Sequence, residues 1–153
     1  MGPSHGILVP KILRSNMATK PQLHSPHPPR NTLKILQWNA NGIMPRLTEL
    51  KNYLATQHVQ PDVICLQETH LTEKTKLKLP SYYVERRDRG GGEKHGGVAT
   101  LLKSDLIYSV IENIEDIEEI SVSIKLQNQE IIISNIYNPP RKEIEEAKYN
   151  QVN

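Results

Sequence analysis

Residues 33–68 read "LKILQWNANGIMPRLTELKNYLATQHVQPDVICLQE", and the fold turns on how this stretch is divided. "LKILQW" has the apolar, β-branched character of a strand, and it ends at Asn39. In "IMPRLTELKNYLATQHV", Leu47, Leu50 and Leu54 fall on one helical face, and Pro45 suits a helix first turn, where a missing N–H costs nothing. "QPDVICLQ" is then almost wholly apolar, as a strand covered on both faces must be. A strand–helix–strand unit of this kind brings two parallel strands together.

Working outward, "ETHLTEKTKLKLPS" reads as a loop with room for a short helix. "YYVERR", "VATLLK" and "LIYSVIE" read as strands, and "DRGGGEKHGG" as a glycine-rich connection. In "ISVSIKLQNQEIIISNIY", Ile120, Val122, Ile124 and Leu126 alternate with Ser121, Ser123 and Lys125. That pattern predicts a half-buried strand that turns at Gln127–Gln129 into an apolar strand ending at Tyr137. "NPP" stops it, and "RKEIEEAKYNQ" reads as the start of a helix, its Glu–Lys pairs on a solvated face. Six or seven strands with two helices predict a layered α/β fold. Residues 1–31, rich in proline, histidine, serine and lysine, read as a flexible basic leader, leaving 32–153 as the folded part.

The 153 residues suffice for one domain, and 37% hydrophobic with 24% charged residues fits a globular chain. With no phenylalanine, the core must rest on Ile, Leu, Val and Tyr. The single cysteine, Cys65, excludes an internal disulfide framework and suits a reducing, intracellular compartment. Set in "VICL", it reads as a small buried hydrophobe rather than a reactive thiol. The net charge of +2 is unevenly spread. Residues 1–51 carry seven Lys and Arg against Glu49 alone, and the remainder carries twelve basic and sixteen acidic residues. The body is therefore no broad cationic surface, and composition by itself does not argue for nucleic acid. No run reaches the roughly 18 apolar residues of a membrane span, and the first residues lack a secretory apolar core.

Three strands end in polar groups: Asn39 and Asn41, then Gln67 and Glu68, then Tyr137 and Asn138. Ligands of open α/β sheets bind beyond the carboxyl ends of strands, so parallel neighbours would bring Asn39 and Glu68 to one rim. A carboxylate beside an amide oxygen suits Mg²⁺, which takes few protein oxygens and keeps its waters. A tyrosine hydroxyl there could donate to a phosphate oxygen. Each residue has a plainer reading too: a strand-end asparagine is commonly a turn residue, and Trp38 is most simply packing.

The pieces "QWNANG", "PDVICLQETHL", "HGGVATLL" and "IIISNIYNPP" occur in an order and spacing that resemble the endonuclease/exonuclease/phosphatase superfamily. Within it the chain from about Leu33 to Pro140 is most similar to endonuclease domains of non-LTR retrotransposons of the jockey-like group. The resemblance implies a four-layer α/β/β/α sandwich with two packed sheets. It also implies Mg²⁺-dependent hydrolysis of DNA phosphodiesters, with Mn²⁺ as a possible substitute. Asn39 matches the asparagine that organises the metal and nucleophile side, Glu68 the magnesium ligand of the "QET" motif, and Tyr137 the tyrosine of "Y-x-P" that contacts the scissile phosphate. The partners implied are DNA and, in a complete element, a reverse transcriptase, which places a functional copy in the nucleus. The basic loop residues Arg87, Arg89, Lys94 and His95 then become candidate contacts to a nucleic-acid backbone; a solvated hairpin tip is the plainer reading.

The sequence departs from the family where Asn41 replaces an aspartate of some relatives and Pro140 an asparagine of many. The family's later "G-D-x-N" and "S-D-H" motifs have no counterpart, and no histidine follows His95. Loss of acid–base help alone costs ~10²–10⁴ in rate. The expectation is thus an incomplete domain, its C-terminal half missing, inactive as this chain. Its uncovered sheet face would favour marginal stability or aggregation. A non-catalytic remnant or weak nucleic-acid-binding module is the alternative, and a phosphodiesterase or phosphatase of the same superfamily the second. His70 reads as a partly exposed loop histidine or a phosphate contact, and the cluster Glu112, Glu115, Asp116, Glu118 and Glu119 as a solvated acidic loop.

Overall fold

A computed structural model describes residues 30–90, 95–112 and 117–139. Almost all of the expected leader, Lys94, Glu115, Asp116, Pro140 and the expected helix beyond it lie outside the described residues. The elements run β1 (Ile35–Asn39), α1 (Ile43–Thr56), β2 (Val63–Gln67), β3 (Tyr82–Arg87), β4 (Val98–Lys103), β5 (Ile107–Ile111), β6 (Glu118–Lys125) and β7 (Glu130–Tyr137). One sheet has the order β1-β2-β4-β3, the other β5-β6-β7. The described residues thus form a helix on a sheet packed on a second sheet, an α/β sandwich of two sheets.

The strand–helix–strand expectation holds. β1 and β2 pair in parallel with Asn39 opposite Gln67. Every residue of β2 is buried, because its two faces serve two cores. Ile64 and Leu66 pack under α1 with Ile43, Leu50, Leu54, Ala99 and Leu101, where Leu47 and Trp38 also lean. Val63 and Cys65 face the second sheet with Val98, Leu102, Ile120, Val122 and Ile124. Removing one such side chain, as in Leu66→Ala, costs about 2–5 kcal/mol in transfer and cavity terms. Cys65 has the plainer of its two readings: burial pushes its thiol up to about 11, which keeps it protonated and inert.

The sequence order hides the place of β4, which lies between β2 and β3 and runs antiparallel to both. "VATLLK" is apolar on both faces and needs cover on both, whereas β3 is only half-buried and tolerates the edge. Between β2 and β3 no helix forms. The loop is buttoned down by Leu71, Leu77 and Leu79 in the core, and by Arg86, which donates to the carbonyls of Thr75 (2.5 Å) and Thr72 (2.9 Å).

β6 and β7 form the expected hairpin, closed by Leu126 N–H to Gln129 O (2.8 Å). β6 is not half-buried, however: Ser121 and Ser123 are buried as well. The alternation correctly separates the face toward the first sheet from the outer one. Serine is small and satisfies its hydroxyl locally, here by Ser121 to Glu119 (2.5 Å) and Ser134 (2.6 Å), and by Ser123 to Glu130. On that outer face Ile107 and Ile132 are exposed. At the pole where β2 begins, Arg30 bridges Asp62 and Asp105, and Asp62 also accepts the Lys34 N–H (2.8 Å). Among the described residues no helix is long and apolar enough to cross a membrane.

Candidate active site

At the opposite pole β1, β2 and β7 end together. Asn39 closes β1, and its Nδ2 donates to Glu68 Oε1 at 2.9 Å while its Oδ1 accepts the Asn41 N–H at 3.2 Å. Both partners fix which end of the amide is oxygen, since a backbone N–H only donates and a carboxylate only accepts. Tyr137, the last residue of β7, hydrogen-bonds the same carboxylate from the second sheet. The Asn39 bond is the main cause holding the Glu68 carboxyl below its ordinary value; burial opposes it, and Tyr137 and His70 add to the lowering. Burial, then the Glu68 hydrogen bond and charge, raise the Tyr137 phenol above its usual range. At neutral pH the site therefore sets an anionic acceptor against a neutral hydroxyl donor.

The backbone around Glu68 is unusual. Asn41, Glu68 and His70 have φ of 43°, 49° and 53°, in the left-handed region. Such positions cost of order 1–3 kcal/mol each and persist only when surrounding structure fixes them. Here the segment is tied on both sides. Glu68 O and Thr69 O accept the N–H groups of Gly42 (2.7 Å) and Ile43 (3.0 Å), which satisfies donors at the start of α1 in place of a side-chain cap. On the other side Thr69 N–H and His70 N–H donate to Gly97 O (3.2 Å) and Gly96 O (2.9 Å). Gly97 has φ 82°, and a Cβ there would fall 2.8 Å from Thr69 Oγ1, so the position accepts only glycine without rearrangement.

His70 Nε2 lies 3.7 Å from Glu68 Oε2, and its ring meets that of His95 edge-on at 5.4 Å. Arg89 pairs with Glu118 (Nε to Oε1, 2.6 Å), and Glu118 Oε2 accepts the Gly97 N–H at 2.6 Å. Glu118 stands opposite Tyr137 in the β6–β7 ladder, and Arg89 and Glu118 both act electrostatically on the Tyr137 hydroxyl. The structure thus brings Asn39, Glu68 and Tyr137 into contact, with His70, His95 and Arg89 around them. Arg87 ends β3, opposite Val98. Glu118 is not part of a solvated acidic loop, as its sequence neighbourhood suggested, but a clamp on the glycine segment. Sequence reading also passed over Asn135, buried between the sheets.

Among the described residues no group of three His, Cys, Asp or Glu side chains converges. The oxygen donor that the rim offers is the ionised Glu68 carboxylate, since Asn39 turns its Nδ2 to Glu68 and its Oδ1 to the Asn41 N–H. One carboxylate fits a hard cation keeping most of its waters.

The fold has relatives of known structure. The APE2 catalytic domain of Xenopus laevis superposes with a TM-score of 0.54 at 20% identity, over 77% of this chain and 49% of that one. In sequence the chain is 30% identical over 111 residues to the RNA-directed DNA polymerase from mobile element jockey of Drosophila melanogaster, covering 71% of this chain. It is 34% identical over 77 residues, half of this chain, to a probable RNA-directed DNA polymerase from transposon X-element of the same fly. The chain spans only 12% and 8% of the length of these two relatives. Residues 36–148 match the model of the Endonuclease/Exonuclease/phosphatase family, a span that includes Asn39, Glu68 and Tyr137, and the chain belongs to that family.

Proposed function

We propose that the chain is the metal-holding portion of a DNA endonuclease domain, carried by a retrotransposon protein that also contains a reverse transcriptase. The observation that carries this reading is the Glu68 carboxylate, ionised at a rim and held by the neutral donors Asn39 and Tyr137. Glu68, with Asn39 beside it, would hold Mg²⁺, and Mn²⁺ could take its place. When bound, such a cation stabilises charge on a phosphodiester and lowers the pKa of bound water. Asn39 orients the carboxylate. The Tyr137 hydroxyl, kept protonated, is placed to donate to a phosphate oxygen as charge develops there. Arg89 and His95 supply donors toward the backbone of the nucleic acid, with Arg87 and Lys94 close to them in the sequence.

Mn²⁺ binding followed by electron paramagnetic resonance tests the metal site, and nicking of supercoiled plasmid in Mg²⁺ tests the activity, each against Glu68→Ala. The metal reading requires saturable binding that the variant loses. Nicking by these 153 residues alone is expected near background, because the family's later Asp–Asn and His–Asp motifs are not among them. Robust nicking abolished by Glu68→Ala would replace that expectation with an active enzyme. Saturable DNA binding without metal binding would favour the non-catalytic module instead. Hydrolysis of small phosphate esters in preference to DNA would favour the phosphodiesterase or phosphatase reading.

A further inference from the structure

We infer that Asn135 is a positioning residue, which fixes Tyr137 against Glu68 by locking the second sheet onto the ends of β2 and β4. The inference rests on the site reading above and deepens it.

Asn135 is 2% exposed and lies on the face of β7 that meets the first sheet. Its Oδ1 accepts Gln67 Nε2 at 2.6 Å. Its Nδ2 faces three acceptors of the first sheet: Leu66 O (3.2 Å), Ala99 O (3.0 Å) and Thr100 Oγ1 (3.2 Å). Leu66 and Ala99 are opposite each other in the β2–β4 ladder, so one amide reaches both strands at once. Gln67 in turn accepts from Gln37 Nε2 on β1.

These amides form a row one step below the candidate site and use the same three strands. Gln37 precedes Asn39 by two residues on β1, Gln67 directly precedes Glu68, and Asn135 precedes Tyr137 by two on β7. The centre of the contact between the sheets is apolar: Val63, Cys65, Val98 and Leu102 against Ile120, Val122 and Ile124. Other polar ties, Glu118 to Gly97 and Arg89 and Tyr108 to Glu85, reach the β3–β4 side of the first sheet rather than β2. Apolar contact has no preferred direction and tolerates sliding. Hydrogen bonds with fixed angles do not. The Tyr137–Glu68 bond joins the two sheets at an exposed rim, and the Asn135 amide is a buried directional tie from β7 to β2 itself, on the residues that lead into Glu68. A buried amide is costly unless its groups are satisfied, and here both ends of it are.

The test is a double-mutant cycle read by thermal unfolding of the full chain. Tyr137→Phe is introduced into wild type, into Asn135→Leu, and into Val122→Ala, a cavity variant of the same interface. The loss of Tm from Tyr137→Phe is expected in wild type and in Val122→Ala, and to shrink by more than half in Asn135→Leu. Asn135→Ser serves if the leucine variant does not fold. Mn²⁺ affinity is expected to fall about 10-fold in the Asn135 variants and to hold in Val122→Ala, as for groups that orient a metal ligand. An equal Tyr137→Phe penalty in all backgrounds, or none in wild type, overturns the inference. If wild type binds no Mn²⁺, the metal reading fails while the cycle still decides the role of Asn135.

Discussion

The two poles of the first sheet both carry carboxylates, and they treat them in opposite ways. At the pole where β2 begins, Asp62 and Asp105 share the guanidinium of Arg30, so charge meets charge inside a mostly buried cluster. At the pole where β2 ends, Glu68 is held by the uncharged amide of Asn39 and the uncharged hydroxyl of Tyr137, with His70 at 3.7 Å. The first arrangement uses up its negative charge internally. The second fixes the geometry of a carboxylate and leaves its charge for something else. A carboxylate held mainly by neutral donors keeps its charge available, whereas one paired with a guanidinium does not.

The largest effect that would sharpen this contrast is on metal binding. Glu68→Gln keeps the size and the hydrogen-bonding reach of the side chain but removes the charge. Mn²⁺ affinity is expected to fall by ~100-fold or more, above the 10–100-fold typical for residues that only orient a ligand. Titration of the Mn²⁺ resonance measures it, and an unchanged affinity would break the comparison.

At the other pole, Arg30→Ala strips two partly buried carboxylates of their shared partner. A loss of about 2–4 kcal/mol in urea unfolding is expected, with Mn²⁺ affinity unaltered. If stability holds and metal binding falls, the poles have been assigned the wrong way round.

A smaller effect is expected from Tyr137→Phe, which deletes one hydrogen bond at a rim. Unfolding should report about 1 kcal/mol. The pH dependence is smaller still. The folded value of Glu68 lies below its ordinary 4.5, so the stability its bonds contribute is complete above that pH. It is lost as pH falls below 4.5 through the folded value. The difference in unfolding free energy between wild type and Glu68→Gln should be flat from pH 7 to 5 and shrink below 4.5.

How much of this was legible beforehand follows from the range of the signals. The β1–α1–β2 unit could be read because helical and strand periodicities are local, and parallel pairing then carried Asn39 to Glu68. The β6–β7 hairpin was legible as well. Its turn at Gln127–Gln129 fixes a register that already places Glu118 opposite Tyr137, but not the clamp on Gly97, which leads into a strand of the other sheet. The place of β4 was not legible, since an apolar strand says that it wants cover and not from which strands. Nor were the left-handed φ values of Glu68 and His70, which neither residue type announces and which backbone bonds from α1 and from Gly96 and Gly97 enforce. Asn135 was not legible either, because its acceptors belong to the other sheet.

The tie between Gly42 and Glu68 reaches into the chemical ageing of the chain. Asn–Gly, here Asn41–Gly42, is prone to spontaneous deamidation, in which the glycine nitrogen attacks the asparagine side-chain carbonyl, ammonia leaves, and water opens the cyclic imide to aspartate or isoaspartate. In the folded chain that nitrogen is engaged, its hydrogen directed at the Glu68 carbonyl at 2.7 Å. The same bond that seats the rim on α1 is thus expected to make the linkage deamidate more slowly in the folded chain than in urea, as peptide mapping after incubation would measure.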